Sequence, residues 1–223
     1  MQDNRFPFPD RQSSWIVFQK DPCLRKIPQD QTQLIFEDAW MIGKEHAKAF
    51  LEEHCDPSNY DMSCILSKLG FSVIEQDIDN VVGKVRYFCE YLSEKNTIYV
   101  YKKSIMLWAE SNCFDYTLSK NIILAHEYFH YLEAHKIGWV SGRCTVPMLR
   151  IGKLAFGKTG IASLSEVAAN AFANECYNSC RKAVPSDQQG EETESCLSEG
   201  ENNEYNHDRR RGNDGISNVL SRC

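Results

Sequence analysis

The sequence lacks the features that mark membrane and nucleic-acid-binding proteins. It contains no run of about eighteen apolar residues, and its first thirty residues hold no apolar stretch as long as the core of a signal peptide. Lysine and arginine number 25 against 31 aspartate and glutamate, a net charge of −6, so the chain has no basic surplus. We therefore expect a cytoplasmic protein that binds neither membranes nor nucleic acid directly.

The chain also lacks paired cysteine motifs. Its ten cysteines are scattered, and only Cys176 and Cys180 lie close in sequence. Zinc sites built on cysteine usually need a second such pair, and a disulfide framework is typical of small exported domains. We expect most thiols to be reduced and buried, with this pair packed in a helix; a metal or redox role for the pair is the alternative.

Composition divides the chain into three segments. Residues 1–32 are polar and punctuated by proline around the apolar run 15–18, which predicts an irregular arm with one short strand. Residues 33–184 hold most of the apolar residues and form the predicted folded domain. Residues 185–223 carry nine acidic residues and four arginines, a net −5 of the chain's −6, and so few apolar side chains that we expect disorder.

The first half of the folded domain predicts helices followed by strands. Apolar residues recur at helical spacing over residues 33–54, and a shorter helix over 60–69 is closed by Gly70. Short runs rich in β-branched and aromatic residues follow and predict a sheet of about three strands. These runs are 71–74, 85–91 and 97–101.

Two further helices are predicted in the second half, joined by a glycine-containing loop. Thr117 or Ser119 can cap the first, which ends near Gly138. The second begins near Ser163 or Ser165. The fold class that this order predicts is α+β, with two helices packed against a small sheet.

Residues 126–130 read H-E-x-x-H inside the first of these helices. Positions i and i+4 of a helix share a face, so His126 and His130 can hold one ion while Glu127 projects beside it. Zinc lowers the pKa of its bound water towards 7, and a neighbouring carboxylate can take the proton as that water attacks a carbonyl. The pattern predicts a zinc hydrolase with Glu127 as general base; a purely structural pair of histidines is the alternative.

A catalytic zinc site usually has three protein ligands, so a third must come from elsewhere. His135 follows His130 by five residues, one fewer than the metzincin pattern requires. Glu133 is assigned to the helical stripe of Glu127, two turns further on, and is expected to be solvated. Glu166 opens the next predicted helix, whose small residues allow a close approach to the first, and is the favoured ligand.

Together, the pentad and a second motif resemble the ImmA/IrrE metallopeptidases. The pentad follows an apolar run that ends in Ala125, and the later segment reads E-x-x-A-N-x-F-A. The resemblance extends over about residues 35–180, although the loop between the motifs is long and Phe129 stands where the family commonly has glycine. The second motif is filled, in order, by Glu166, Ala169, Asn170, Phe172 and Ala173.

The resemblance implies a zincin-like fold in which His126, His130 and Glu166 bind Zn²⁺ and Glu127 is the general base. Several members of that family cut or inactivate helix-turn-helix repressors of mobile elements or stress regulons. The implied function is a zinc endopeptidase that acts on a protein, such as a DNA-binding repressor, with the peptide extended along a sheet edge. The alternative is a non-catalytic, zinc-containing anti-repressor that acts by binding its partner.

Two weaker expectations concern the surroundings of the site. Asn170 lies one turn after Glu166 and can hydrogen-bond a metal ligand, although helix packing explains it equally well. The connecting loop between residues 134 and 165 carries five basic residues and no acidic one. It is either a solvated loop or a flap that receives an acidic segment of the substrate or of the chain's own tail.

Overall fold

The computed structural model describes residues 8–55, 60–83, 85–151 and 154–183, so the acidic segment 185–223 and its expected disorder lie outside the described residues. The described chain is a mixed α+β structure, as predicted. The helices are α1 Arg11–Phe18, α2 Gln29–His54, α3 Met62–Lys68, α4 Lys102–Asn112, α5 Tyr116–Leu132 and α6 Ala162–Ala183. The strands are β1 Ser72–Gln76, β2 Asn80–Val82, β3 Val85–Tyr87, β4 Cys89–Leu92, β5 Thr97–Tyr101, β6 Thr145–Ile151 and β7 Leu154–Gly160.

Within the described residues the main sheet has three strands in the order β1-β5-β4, which confirms the predicted number. β5 lies in the centre, parallel to β1 and antiparallel to β4, so β4 forms one edge. The run 85–91 was predicted to form one strand, but it forms two. It is divided at the buried Phe88, and its first part pairs with β2 in a separate ribbon.

Helix α6 packs against α2 and α5 and forms the centre of the core. The approach to α2 is very close: a Cβ atom on Gly43 would overlap the carbonyl oxygen of Ala168 and lie 2.8 Å from Ala171 Cβ. These small residues therefore serve the contact with α2. Against α5, Phe172 packs on Phe129 with ring centroids 5.6 Å apart.

The prediction of an irregular N-terminal arm with a short strand is wrong, because residues 11–18 form α1. The carboxylate of Asp10 accepts a hydrogen bond from the backbone N–H of Ser13 at 2.7 Å and so caps the helix. Trp15 and Phe18 lie one helical turn apart and both pack on Phe36 of α2. Since Phe18 is completely buried, this segment belongs to the same core as the rest of the described chain.

Three other details differ from the sequence-based expectations. Helix α4 was not predicted. The cap of α5 is Asp115, whose carboxylate accepts from the N–H of Leu118 at 2.9 Å, rather than Thr117 or Ser119. The predicted loop before α6 contains the antiparallel hairpin β6–β7. Gly70 adopts the expected left-handed conformation after α3, with φ of 89°.

The thiols are less buried than predicted. Cys64 and Cys113 are exposed, whereas Cys176 is buried in α6. The side chain of Cys180 lies outside the described residues, so the role of that pair stays a prediction. Among the described helices, none is both long and apolar enough to cross a bilayer.

Candidate metal centre

Helix α5 presents the pentad from inside the core. The helix begins after its Asp115 cap, and all of the residues from 121 to 129 are buried. His126 is 3% exposed and Glu127 is 6% exposed. Polar groups at this depth require partners or a bound ion, because burying them alone carries a large desolvation penalty. The placement therefore marks these residues as functional candidates.

Helix α6 brings Glu166, the fifth residue of the helix, to the same place. The carboxylate of Asp21 accepts hydrogen bonds from the backbone N–H of Ser163 at 3.3 Å and from its hydroxyl at 2.7 Å. An acidic group there also complements the positive end of the helix dipole. The N–H of Ile161 donates to the carbonyl of Ser141 at 3.0 Å and anchors the start of the helix. Glu166 keeps its side chain 31% exposed, open to the cleft described below.

The three predicted ligands converge. The Nε2 atoms of His126 and His130 lie 3.2 Å apart, His126 Nε2 lies 3.4 Å from one oxygen of Glu166, and His130 Nε2 lies 3.7 Å from the other. Ligand atoms at about 2.0–2.1 Å from a tetrahedral ion are separated by about 3.3 Å. The separations are close to this value, so the group can hold a metal ion.

Glu133 was predicted to be solvated, but it is buried beside the metal centre. Its side chain is 0% exposed, and one oxygen lies 2.9 Å from His130 Nδ1. The helix widens into a π turn over Glu133–Ile137 at this point. The prediction is wrong because it placed Glu133 on the helix face of Glu127. Glu133 is seven residues after His126 and three after His130. That spacing places it on the ligand face and was the signal in the sequence.

Two other candidates lie away from the ligand group. His135 is exposed, stacks on the ring of Tyr131 at 4.4 Å and makes a 3.0 Å hydrogen bond from Nδ1 to the carbonyl of that tyrosine. Asn170 donates to Ser14 of α1 at 3.1 Å. The expected contact between Asn170 and a metal ligand is therefore absent, and helix packing explains this residue.

The electrostatics of the site are dominated by carboxylates around His130. Burial would lower the pKa of this imidazole, but the hydrogen bond to Glu133 and the negative charges of Glu166 and Glu127 raise it to about 9. This excess of negative charge attracts a cation to the group. A divalent ion and the second proton of His130 therefore compete for the same place.

A cleft of about 220 Å³ opens over the centre and gives it access from outside. Glu127, His130 and Glu166 line one side of the cleft. Aromatic groups line much of the remainder, and Tyr91 brings the edge strand β4 to its rim. Besides His130, the aromatic and imidazole side chains at the cleft are Tyr91, Tyr131, His135 and Trp139.

The residue before the second histidine, Phe129, has a packing role. It is completely buried, and besides Phe172 it meets the ring of His46 on α2 with centroids 6.4 Å apart. Phe129 is not among the residues that line the cleft. A bulky group in this position is therefore compatible with an open metal centre.

Scans against protein-family models, curated proteins and solved structures returned no match to this chain.

Proposed function

We propose that this protein is a zinc-dependent endopeptidase with a zincin-like, ImmA/IrrE-type fold. The observation that carries the proposal is the convergence of His126, His130 and Glu166 within 4.8 Å of one another, with Glu127 lining the same cleft. Structural zinc sites have four protein ligands, whereas this group supplies three and faces an open cleft. The arrangement therefore favours a catalytic over a structural ion.

The donor set favours zinc among the divalent ions. Two imidazole nitrogens and one carboxylate are common zinc ligands, and the separations of 3.2–3.7 Å suit a tetrahedral ion of that size. When bound, zinc supplies a Lewis acid that polarises a carbonyl and makes water acidic near neutral pH. His126 and His130 can bind it through Nε2, with Glu166 through a carboxylate oxygen.

Glu127 is the proposed general base. It follows the first ligand directly, is 6% exposed and reaches the cleft beside His130 and Glu166. A carboxylate in this position can accept a proton from the attacking water and return it to the leaving amine. Since Glu127 is outside the ligand group, its loss should remove hydrolysis and leave metal binding intact.

The edge strand β4 is the proposed docking site for the substrate backbone. It ends the described sheet on the side of the cleft, and its Tyr91 lies at the rim. An extended peptide can add to such an edge through main-chain hydrogen bonds. The resemblance supports a cytoplasmic protein substrate, with a helix-turn-helix repressor as the proposed class.

The test is a comparison of Glu127→Gln with wild type. The wild-type protein should bind one zinc per chain and cleave members of a random peptide mixture, detected by mass spectrometry. The variant should keep its zinc and lose at least about 100-fold in cleavage rate. The exposed Glu110 on α4 offers a matched control, since Glu110→Gln removes the same charge away from the site.

The same variant distinguishes the binding alternative. Purified from its host, Glu127→Gln should trap an uncleaved protein, and wild type should release fragments of that protein. A Glu127→Gln protein that neutralises its trapped partner as fully as wild type would instead establish an anti-repressor that acts by binding.

A further inference from the structure

Glu133 presents an unusual combination of depth and charge at the edge of the metal centre. Its carboxylate is 0% exposed, although acidic side chains are almost never fully buried unless they are paired. Burial of such a group is tolerated only when its oxygens are hydrogen-bonded. The partners of the two oxygens therefore indicate what the residue does.

One oxygen of Glu133 determines which nitrogen of His130 faces the metal. Glu133 Oε2 lies 2.9 Å from His130 Nδ1. A carboxylate can only accept, so Nδ1 carries a proton, and the lone pair of the neutral ring is left on Nε2. Nε2 is the nitrogen that lies 3.2 Å from His126 Nε2 and 3.7 Å from Glu166.

The other oxygen reaches the second ligand helix. Glu133 Oε1 accepts from the hydroxyl of Ser165 at 2.7 Å and from the backbone N–H of Val140 at 2.9 Å. The same hydroxyl accepts from the N–H of Ser141 at 3.1 Å. Since Ser165 directly precedes Glu166, one carboxylate joins the helix that carries the histidines to the turn that carries the third ligand.

We propose that Glu133 is a positioning residue that fixes the ring of His130 and the first turn of α6 in one hydrogen-bonded unit. The other histidine has no equivalent support, because His126 Nδ1 is buried without a hydrogen-bond partner among the described residues. The support that Glu133 provides therefore concerns His130 and the start of α6, and not His126. The inference requires the metal centre of the proposed function but no peptide cleavage.

The first experiment measures zinc affinity in Glu133→Gln by competition with a chromophoric chelator. The glutamine oxygen keeps the bonds from Val140 and Ser165, so its NH₂ faces His130 Nδ1 and donates to it. That contact moves the ring proton to Nε2, the atom that must bind the metal. We expect affinity to fall about 10- to 100-fold, the usual effect of removing the partner of a ligating histidine.

Ser165→Ala tests the contact of Glu133 with α6 separately from its contact with His130. It removes one bond to Oε1 and leaves the contact with His130 intact, so we expect a smaller loss of affinity. Combined with Glu133→Gln, its effect should be less than additive in free energy, because both changes act through one carboxylate. Glu110→Gln is the charge-matched control and should bind zinc as wild type does.

A second readout does not depend on a variant that folds. In zinc-loaded wild type, the imidazole ¹⁵N signals of His130 should show a protonated Nδ1 and a metal-bound Nε2. Affinity of Glu133→Gln within about twofold of wild type, or a metal-bound Nδ1, would overturn the inference. Wild type that takes up no zinc would reject the proposed function instead, so the two failures are distinguishable.

Discussion

Single residues at the site follow helix geometry closely. His126 and His130 share a face of α5 because positions i and i+4 always do so, whatever the helix packs against. The same rule places Glu133 on that face, because it is seven residues after His126 and three after His130. Asn170 shows the opposite case. Its spacing from Glu166 suits a hydrogen bond to that ligand, but its amide donates to a residue of α1 instead.

Removing a ligand should abolish metal binding. In His130→Ala or Glu166→Ala, two donors remain, too few to hold zinc against water in a four-coordinate site. We expect no stoichiometric zinc after dialysis, measured by elemental analysis. His135→Ala is the control, because His135 stacks on Tyr131 outside the ligand group. Full zinc occupancy in Glu166→Ala would exclude this residue as the third ligand.

Asp79 predicts a pH dependence of stability away from the site. Its carboxylate accepts from Arg86 at 2.8 Å and from Ser104 at 2.9 Å, and these bonds lower its pKa. A lowered folded-state pKa gives a contribution that is complete above the unfolded value near 4 and is lost as the pH falls through the folded value. Since the side chain is 34% exposed, we expect about 1 kcal/mol.

Urea unfolding of Asp79→Asn measures this contribution. The variant should be less stable than wild type at pH 6, and the difference should shrink as the pH is lowered through the folded-state pKa of Asp79. Asp77→Asn is the control: Asp77 is 72% exposed, pairs with Lys103 at 3.6 Å and should change stability little. A pH-independent difference for Asp79→Asn would contradict the assignment.

At the scale of elements, local capping and long-range packing have separate roles. Asp10 and Asp115 cap their helices through neighbouring N–H groups, and such signals are present in the sequence. Asp21 caps α6 from 142 residues away, and nothing local reveals that contact. The hairpin β6–β7 was not predicted, because its strands show no clear alternation of buried apolar and exposed polar residues. Several of its apolar residues are exposed: Met148, Leu149, Leu154 and Phe156.

Gly43→Ala should destabilise the protein through the contact between α2 and α6. An added Cβ overlaps the carbonyl oxygen of Ala168, a backbone atom that can move only with the whole helix. We expect a loss of about 1–3 kcal/mol in the free energy of unfolding. The displacement of α6 should also weaken zinc binding, because this helix carries Glu166 close to its start.

Gly142→Ala is the matched control, since nothing lies within 4 Å of a Cβ at that position. Unfolding in urea and zinc competition should be run on both variants. Equal stability of the two would show that α6 can shift away from α2 without cost.

At the scale of the whole molecule, the metal site joins parts of the chain that are distant in sequence. The ligands come from α5 and α6, and α6 is held by α2, α1 and the segment before the hairpin. An ion that binds the folded state alone should therefore stabilise the entire core. Zinc at about 100 times its dissociation constant contributes about 2.7 kcal/mol.

Thermal unfolding tests this linkage. Adding zinc to chelator-treated protein should raise Tm by about 5–10 °C, given about 2–4 °C per kcal/mol for a chain of this size. The same addition to Glu166→Ala should leave Tm unchanged. A rise of equal size in the variant would locate the stabilising ion elsewhere.

Local sequence patterns were enough to predict the face of α5 that carries the histidines, the three strands of the main sheet and the small residues of α6. These features depend on period, propensity and side-chain size, which act between near neighbours. Only the packing of separate elements places α1 in the core, buries Glu133 and brings Glu166 to the histidines. These contacts join groups that lie between 7 and 156 residues apart in the chain within one desolvated volume, and no local pattern fixes those distances.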